Sequence, residues 1–254
     1  MRRIGIIGVG ELGRALVDGL CDGVEEPPEL YLSPRGACTA AELSQRYPTV
    51  HVCADNQDVL NRSELVILAV RPQNRVKALS GLRVGEDRVV VSVMTGVAIS
   101  EVRRLLGTDA PVVRAIPLPS ARKRRSVTVT CPFHPAVDDL FDGLGGTLPV
   151  ADEATLNVFQ MLTGTLTTHY WYLATLADWA VRQGISPEGA DRYLRGLFQG
   201  VGRALGDHTR SLQQLAGDHE TPKGLNERLR TTWFDPANAE ALTKALDALL
   251  ADLK

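Results

Sequence analysis

The chain has 254 residues, of which 44% are hydrophobic and 23% charged, an ordinary globular balance for one large domain or two modest ones. Its formal net charge of −2 argues against a dedicated nucleic-acid-binding protein, which normally carries a strong basic excess. No apolar run approaches the roughly 20 residues that cross a bilayer, so we expect no membrane partner.

The first 150 residues alternate short apolar runs with stretches of helical length. In chain order, we predict strands at Arg3–Ile7, Glu29–Leu32, Val50–Cys53, Leu65–Val70, Val89–Val93, Val112–Ala115 and Val127–Thr130, with Gly146–Val150 as a final edge strand. We predict intervening helices at Leu12–Leu20, Ala37–Tyr47 and Ile99–Leu106. This alternation favours parallel strands joined by right-handed crossovers, and therefore a doubly wound α/β sheet.

The pattern changes to helical after Val150. We predict helices within residues 153–183, which contain few helix breakers, and at Pro187–Gly206 and Ala237–Leu253. In the last segment the apolar residues recur at i, i+3, i+4 and i+7. Asp152 or Thr155 is suited to cap the first of them, and Pro187 suits the first turn of the second. We therefore predict a domain boundary near residue 150 and an all-helical second domain over residues 151–254.

The cysteines and histidines do not form a recognisable metal site or disulfide framework. The four cysteines are scattered without a CxxC pair, and the five histidines show no HExxH spacing. This usage is typical of reduced thiols, so we expect a cytoplasmic protein without a metal. A signal peptide at the N-terminus is disfavoured because Gly8, Gly10 and Glu11 interrupt the apolar stretch.

The clearest motif is Gly8-x-Gly10-x-x-Gly13, which directly follows the first predicted strand and opens the first helix. In this pattern the first glycine permits a tight turn, the second lets a pyrophosphate approach the backbone, and the third allows close helix–strand packing. The helix N-terminus offers free N–H groups to the phosphates. The alternative is a glycine-rich turn without a ligand. We predict a Rossmann-type, dinucleotide-binding N-terminal domain.

The end of the second strand indicates which dinucleotide is bound. An NAD enzyme usually ends this strand with an acidic residue that binds the ribose hydroxyls, but this chain has Ser33, Pro34 and Arg35. Ser33 and Arg35 are able to donate to a 2′-phosphate, and no carboxylate repels it. We therefore predict NADP rather than NAD. The alternative is that Arg35 is a solvated loop cation.

Three later segments resemble those of the pyrroline-5-carboxylate reductase family. They are DNQDVLNRSELVILAVRPQ, SVMTGV and VRAIPLPSA, in that order after the glycine motif. The family's segments read approximately DN-x-E…AD-x-V-x-LAVKPQ, SI-x-AG-[IV] and VR-x-MPN-[ST]-PA. The resemblance covers the whole Rossmann half.

The resemblance implies a cofactor site and a mode of assembly. NADPH is expected to be held by Gly8, Gly10, Glu11, Leu12, Gly13, Ser33 and Arg35, with Val70, Arg71 and Pro72 beside the adenosine or ribose. The resemblance also implies that the helical domain interlocks with a partner subunit. We therefore expect a homodimer or higher homo-oligomer whose substrate, a small anionic molecule, binds at the subunit interface.

The second half resembles the family in layout but differs where the substrate is expected. The family's SGSGPAY corresponds here to TGTLTTH, its SPGGTT to TPKGLN, and its asparagine after Pro117 to Leu118. Our candidate catalytic residues are polar groups in these segments: Thr163, Thr165, His169 and Asn226. An imidazole suits a general acid at neutral pH. The alternatives are back-bonded helix hydroxyls for the threonines and core or dimer packing for His169 and its aromatic neighbours.

Several charged residues near these segments also have two interpretations. Lys223 is a candidate for holding an anionic substrate, and Glu220 and Glu227 for a basic one. The run Arg122–Arg125 is suited to steer an anionic substrate or contact an NADP phosphate. For the two glutamates and the basic run, the alternative is an ordinary solvated charge.

The leading hypothesis is an NADPH-dependent reductase of a small C=N substrate, with pyrroline-5-carboxylate as the first candidate. The departures from the family motifs favour a second hypothesis, a related reductase or dehydrogenase for another imine or carbonyl. A third hypothesis is a catalytically silent protein that binds NADP as a ligand or redox signal.

Overall fold

The computed structural model of the protein describes residues 3–253. Its contacts divide the chain into two compact units, Met1–Gln160 and Met161–Lys254. The first unit holds the sheet and the second is helical.

The first unit is built on one eight-stranded sheet. Its strands are β1 (Arg3–Ile7), β2 (Glu29–Leu32), β3 (Val50–Val52), β4 (Leu65–Leu68), β5 (Val89–Ser92), β6 (Val112–Ile116), β7 (Thr128–Cys131) and β8 (Thr147–Pro149). The bounds of β1 and β2 coincide with the predicted ranges, and β8 lies at the predicted edge.

The strand order is β3-β2-β1-β4-β5-β6-β7-β8, and the first six strands are parallel. The chain therefore winds outward from β1 in one direction and from β4 in the other. The carboxyl ends of β1 and β4 flank the switch point, which is where open α/β sheets bind their ligands. The fold confirms the predicted doubly wound architecture.

The sheet is not parallel throughout, because β7 runs antiparallel to β6. The segment between them carries only a five-residue 3-10 helix, Pro119–Lys123, rather than a full crossover helix. Parallel neighbours need such a crossover, so this short connection returns the chain in the opposite direction. A helical connection then makes β8 parallel to β7.

Helices cover both faces of the sheet. Those of the first unit are α1 (Glu11–Cys21), α2 (Ala37–Arg46), α3 (Asn56–Arg62), α4 (Arg75–Leu79), α5 (Ile99–Leu106), α6 (Pro135–Asp142) and α7 (Glu153–Thr163). Helix α7 extends three residues beyond the unit, and a 3-10 turn at Pro72–Asn74 precedes α4. Along β4, Leu65 and Ile67 pack into one core with α1, α2 and α6, whereas Val66 and Leu68 pack into another with α3, α4 and α5. Burial on both faces explains why these strands are apolar without alternation.

A partly buried ion pair joins the sheet to α7. The guanidinium of Arg114 on β6 donates to Glu153 Oε1 at 2.9 Å and to Gln160 Oε1 at 3.1 Å. Glu153 also accepts from the backbone N–H of Ile99 at 3.1 Å. Because Leu156 of α7 is buried against Val129 and Cys131, this helix packs with the sheet, and the first unit extends beyond the predicted boundary near residue 150.

The second unit contains α8 (Thr165–Arg182), α9 (Pro187–Ala204), α10 (Leu212–Gly217), α11 (Leu225–Trp233) and α12 (Pro236–Ala251). The predicted helical stretch 153–183 is divided at Gly164, which separates α7 from α8. Asp152 rather than Thr155 provides the cap before α7, accepting from the Thr155 N–H at 2.7 Å. None of the helices in the described part of the chain is both long enough and apolar enough to span a bilayer.

The four cysteines are free thiols in different surroundings. Cys21, Cys53 and Cys131 are buried and Cys38 is exposed. Burial raises the pKa of Cys21 and of Cys53 to about 11, and it also raises the pKa of Cys131. Within residues 3–253, no three His, Cys, Asp or Glu side chains are grouped so as to hold a metal ion.

We expect one cysteine of the native protein to react rapidly with a disulfide reagent at neutral pH. The thiolate is the reactive form, and the raised pKa keeps the three buried thiols protonated. A stopped-flow titration should therefore show one fast thiol that the Cys38→Ser variant lacks, and three that react only after denaturation. A fast phase that persists in Cys38→Ser would contradict this assignment.

Candidate dinucleotide-binding site

The glycine motif forms a tight turn at the switch point of the sheet. Gly8 has a φ of +105°, a conformation that side-chain-bearing residues rarely adopt. A Cβ added at Gly8 would lie 2.6 Å from the carbonyl carbon and oxygen of Ala69. The backbone at the end of β1 therefore touches the backbone at the end of β4, and only glycine fits between them.

The next two glycines have opposite surroundings. A Cβ at Gly13 would lie 2.5 Å from the carbonyl oxygen of Gly8, whereas a Cβ at Gly10 would meet nothing within 4 Å. Gly13 thus permits α1 to approach the turn, and Gly10 leaves open space in front of it. Since no side chain caps α1 at Gly10, its first N–H groups are available to an anion. This cradle fits a pyrophosphate.

The loop after β2 lies beside this cradle. Ser33 is buried at 1% exposure, and its Oγ accepts a hydrogen bond from the Gly8 N–H at 3.0 Å. The hydroxyl proton of Ser33 is still able to donate. Arg35 is followed by Gly36, which has a φ of +93° and starts α2 without a side-chain cap. A second uncapped helix N-terminus therefore lies directly after the predicted 2′-phosphate residues.

A cavity of about 200 Å³ lies beside the glycine turn and the loop after β2. It is lined by Ile7, Gly8, Ser33, Arg35, Asn56, Val70, Lys77 and Ala78. Gly8, Ser33, Arg35 and Val70 were predicted from the sequence to contact a cofactor. Asn56 and Lys77 were not, although Asn56 belongs to the DN pair on which the family resemblance partly rests.

The remaining predicted cofactor residues surround the same strand ends. Leu12 packs partly buried against the core beneath α1. Arg71 is exposed directly after β4, and Pro72 begins the 3-10 turn. Neither Arg71 nor Pro72 lines the cavity, so their predicted contacts with adenosine or ribose stay predictions.

Glu11 and the basic run Arg122–Arg125 are joined in the structure. Arg122 Nη2 donates to Glu11 Oε1 at 2.7 Å, and its Nε lies 3.7 Å from Asp18 Oδ2. Arg124 donates to the carbonyl oxygens of Gly19 and Asp22 near the end of α1. Two of the four cations therefore bind α1 itself. These two side chains are therefore not simply solvated, whereas steering of an anionic substrate and contact with an NADP phosphate stay predictions for the run.

A second cavity, of about 470 Å³, runs along α1. It is lined by Glu11, Arg14, Asp18, Asp22, Arg46, Arg122 and Lys123. Its acidic groups are engaged: Asp18 accepts from Tyr47 Oη at 3.0 Å, and Arg46 reaches both Asp18 and Asp22. Burial, followed by the bond to Asp18, raises the pKa of Tyr47 to about 12. These charges are largely paired with one another, and the predicted cofactor contact of Glu11 stays a prediction.

The candidate catalytic residues lie within or next to the helices of the second unit. Thr165 Oγ1 donates to the Leu162 carbonyl oxygen at 2.7 Å, which is the back-bonded arrangement considered above. Thr163 ends α7. Asn226 Nδ2 donates to the His219 carbonyl oxygen at 2.7 Å. Their catalytic roles stay predictions.

His169 is exposed on α8 within an aromatic cluster. Its ring packs edge-on to Phe198, with centroids 5.8 Å apart, and lies 6.2 Å from Tyr170. Tyr172 also packs edge-on to Phe198 and stacks on Trp233 at 5.2 Å. The cluster fixes the ring of His169 while leaving the side chain accessible.

The TPKGLN segment forms the turn that starts α11. Lys223 has a φ of +62°, a left-handed conformation at the position where the resembling family has glycine. Its N–H donates to Glu227, and Glu220 pairs with Arg230, which lowers the pKa of Glu220. Both glutamates therefore have hydrogen-bond partners in or near this turn. The role predicted for Lys223 stays a prediction.

We expect Gly10→Ala and Gly13→Ala to fail in different ways. At Gly13 the new methyl group meets the Gly8 carbonyl, so the free energy of unfolding should fall by about 1 to 3 kcal/mol. At Gly10 the methyl group enters empty space, so stability should change by no more than about 1 kcal/mol. NADPH affinity of Gly10→Ala should nevertheless fall at least about tenfold, because the methyl group obstructs the pyrophosphate.

Thermal melting and calorimetric titration with NADPH separate the two effects. Unchanged affinity in a folded Gly10→Ala variant would refute the cradle.

Comparisons with known proteins find similarity to NADP-dependent oxidoreductases. Residues 3–96 match the family described as NADP oxidoreductase coenzyme F420-dependent. The chain is 23% identical to pyrroline-5-carboxylate reductase 2 of Bacillus subtilis (strain 168), over 97% of this chain and 92% of the relative.

Two solved structures share the fold over almost their whole length. One is 1-pyrroline-5-carboxylate reductase of Streptococcus pyogenes, with a TM-score of 0.83 and 22% identity; the match covers 99% of this chain and 98% of the other. The other is Plasmodium falciparum pyrroline carboxylate reductase with NADP bound, with a TM-score of 0.81 and 17% identity; the match covers 99% of this chain and 97% of the other. These comparisons confirm the family resemblance that the sequence motifs predicted.

Proposed function

We propose that this chain, which resembles pyrroline-5-carboxylate reductases over 97% of its length, is an NADPH-dependent oxidoreductase that reduces a small C=N substrate. The lead substrate is 1-pyrroline-5-carboxylate, and the product is then proline. The observation that carries the proposal is that the similarity continues through both units instead of ending with the nucleotide-binding half.

The described residues fit NADP. Gly10 and the uncapped start of α1 would receive the pyrophosphate, and Arg35 would pair with the 2′-phosphate. When bound, the nicotinamide supplies the hydride that reduces the imine carbon. The protein must then provide orientation, exclusion of water and one proton for the nitrogen.

Thr163, Thr165, His169 and Asn226 are the proposed catalytic residues. His169 is the proposed proton donor because its imidazole is held by Phe198 and is exposed. Each alanine variant should lower kcat more than it lowers NADPH affinity. Equal loss of both quantities, or no loss, would remove that residue from the catalytic set.

The function is tested by mixing the purified protein with NADPH and 1-pyrroline-5-carboxylate. We expect loss of NADPH absorbance together with an equal amount of proline, and a higher kcat/KM with NADPH than with NADH because of Arg35. If NADPH binds but neither this imine nor a panel of cyclic imines and keto acids is reduced, the protein is the silent binder considered above.

A different imine or carbonyl substrate is the second candidate. It is favoured by Lys223, which keeps the left-handed backbone of a glycine while adding a cationic side chain to the turn before α11. A substrate in the panel with a kcat/KM well above that of 1-pyrroline-5-carboxylate would establish it.

We also propose that the protein is a homodimer or a higher homo-oligomer assembled through the second unit. Among the described residues of this unit, Ala190 is the only one buried. Large apolar side chains are exposed instead, with Leu225 at 84%, Tyr193 at 71% and Trp171 at 70%. Such an extent of apolar surface is typical of a subunit interface. The proposed location is the cytoplasm, where the free thiols stay reduced.

Analytical ultracentrifugation should find a mass that is a multiple of the 27.5 kDa chain. Leu197→Glu places a charge on the apolar face of α9 and should shift the equilibrium toward monomer. Gln199→Glu adds the same charge at an exposed polar position of the same helix and serves as the control. A stable wild-type monomer at micromolar concentration would contradict the assembly.

A further inference from the structure

We propose that Lys77 is a second cation for the 2′-phosphate of NADP, in addition to Arg35. This inference rests on the proposed function and adds a specificity-determining residue to it. Arg35 follows β2, whereas Lys77 lies on α4, beyond β4. The two strands are separated in the sheet by β1, and both side chains line the same cavity of about 200 Å³.

The backbone that carries Lys77 is anchored to the cavity wall. Asn56, at the first position of α3, donates from Nδ2 to the Ala78 carbonyl oxygen at 3.0 Å. Asn56 and Ala78 both line the cavity beside Lys77. This bond links the start of α3 to α4, so the lysine is presented from a fixed position rather than from a free loop.

The charge balance of the cavity favours an anion. None of the lining residues is acidic. Among the described residues, neither the side chain of Arg35 nor that of Lys77 has an ion-pair or hydrogen-bond partner. Nearby cations differ in this respect, because Arg75 on the same helix pairs with Glu101 at 2.6 Å and Arg122 pairs with Glu11 at 2.7 Å. Two uncompensated cations around a small cavity are suited to a dianionic phosphate.

A nucleotide without the 2′-phosphate has no need of this arrangement. NADH presents ribose hydroxyls at the same place, and an ammonium group gains little from them compared with a phosphate. Lys77 should therefore contribute to discrimination between the two cofactors and not to dinucleotide binding in general. This separates its role from that of Gly10, which serves both cofactors.

The test is calorimetric titration of the full-length protein with NADPH, NADH, 2′,5′-ADP and 5′-ADP. Lys77→Met should weaken binding of NADPH and 2′,5′-ADP about tenfold, and change NADH and 5′-ADP less than about twofold. Lys77→Arg should retain most of the affinity because it keeps the charge. Arg83→Met removes an exposed cation just after α4 that does not line the cavity, and should change nothing.

The outcomes distinguish this inference from the proposed function. If wild-type protein prefers 2′,5′-ADP and Lys77→Met keeps that preference, Lys77 is a solvated lysine and the inference fails alone. Equal weakening of all four ligands would also overturn it, since that result indicates a general effect on the site. If wild-type protein binds none of the four ligands, the proposed NADPH-dependent function fails first.

Discussion

Close approach of backbone to backbone, with no side chain between, is the constraint on which the site depends. Gly8 brings the end of β1 against Ala69 after β4, and Gly13 brings α1 against Gly8. These contacts hold the start of α1 at the switch point of the sheet, where its free N–H groups face open space at Gly10. The rest of the Rossmann unit, with apolar cores on both faces, keeps the three backbone segments in register.

The charges around this turn fall into two groups. Those along α1 are neutralised by one another: Glu11 by Arg122, and Asp18 by Arg46 and the Tyr47 hydroxyl. Those at the cavity between the ends of β2 and β4 are cationic and have no acidic neighbour in its lining. The first group stabilises the fold, and the second is available to a ligand. Counting charges in the sequence does not separate the groups, because Arg122 and Arg35 are equally basic.

The sheet was predictable because its strands are buried on both faces and therefore form unbroken apolar runs, as in β4 and β5. The antiparallel return of β7 was not, since strand direction depends on a connection whose 3-10 geometry has no apolar period. Gly8, Ser33, Arg35 and Val70, which line the cavity, were predicted because each lies at or just after the end of a predicted strand. Lys77 was not predicted, because only the packing of α4 brings it to the lining of the cavity that Arg35 also lines. The short helices α10 and α11 were not predicted, because each has fewer than ten residues and so carries only a few apolar positions.

The hydrogen bond from the Gly8 amide to the Ser33 hydroxyl has a consequence for redesign. It gives one side chain two roles, since Ser33 braces the glycine turn while lining the cavity proposed for the ribose and its 2′-phosphate. Replacing it with aspartate, the usual way to convert an enzyme to NADH, would put a carboxylate in a fully enclosed position and disturb the brace. Cofactor preference is therefore better altered at the exposed side chains that line the cavity, such as Arg35 and Lys77, than at the buried Ser33.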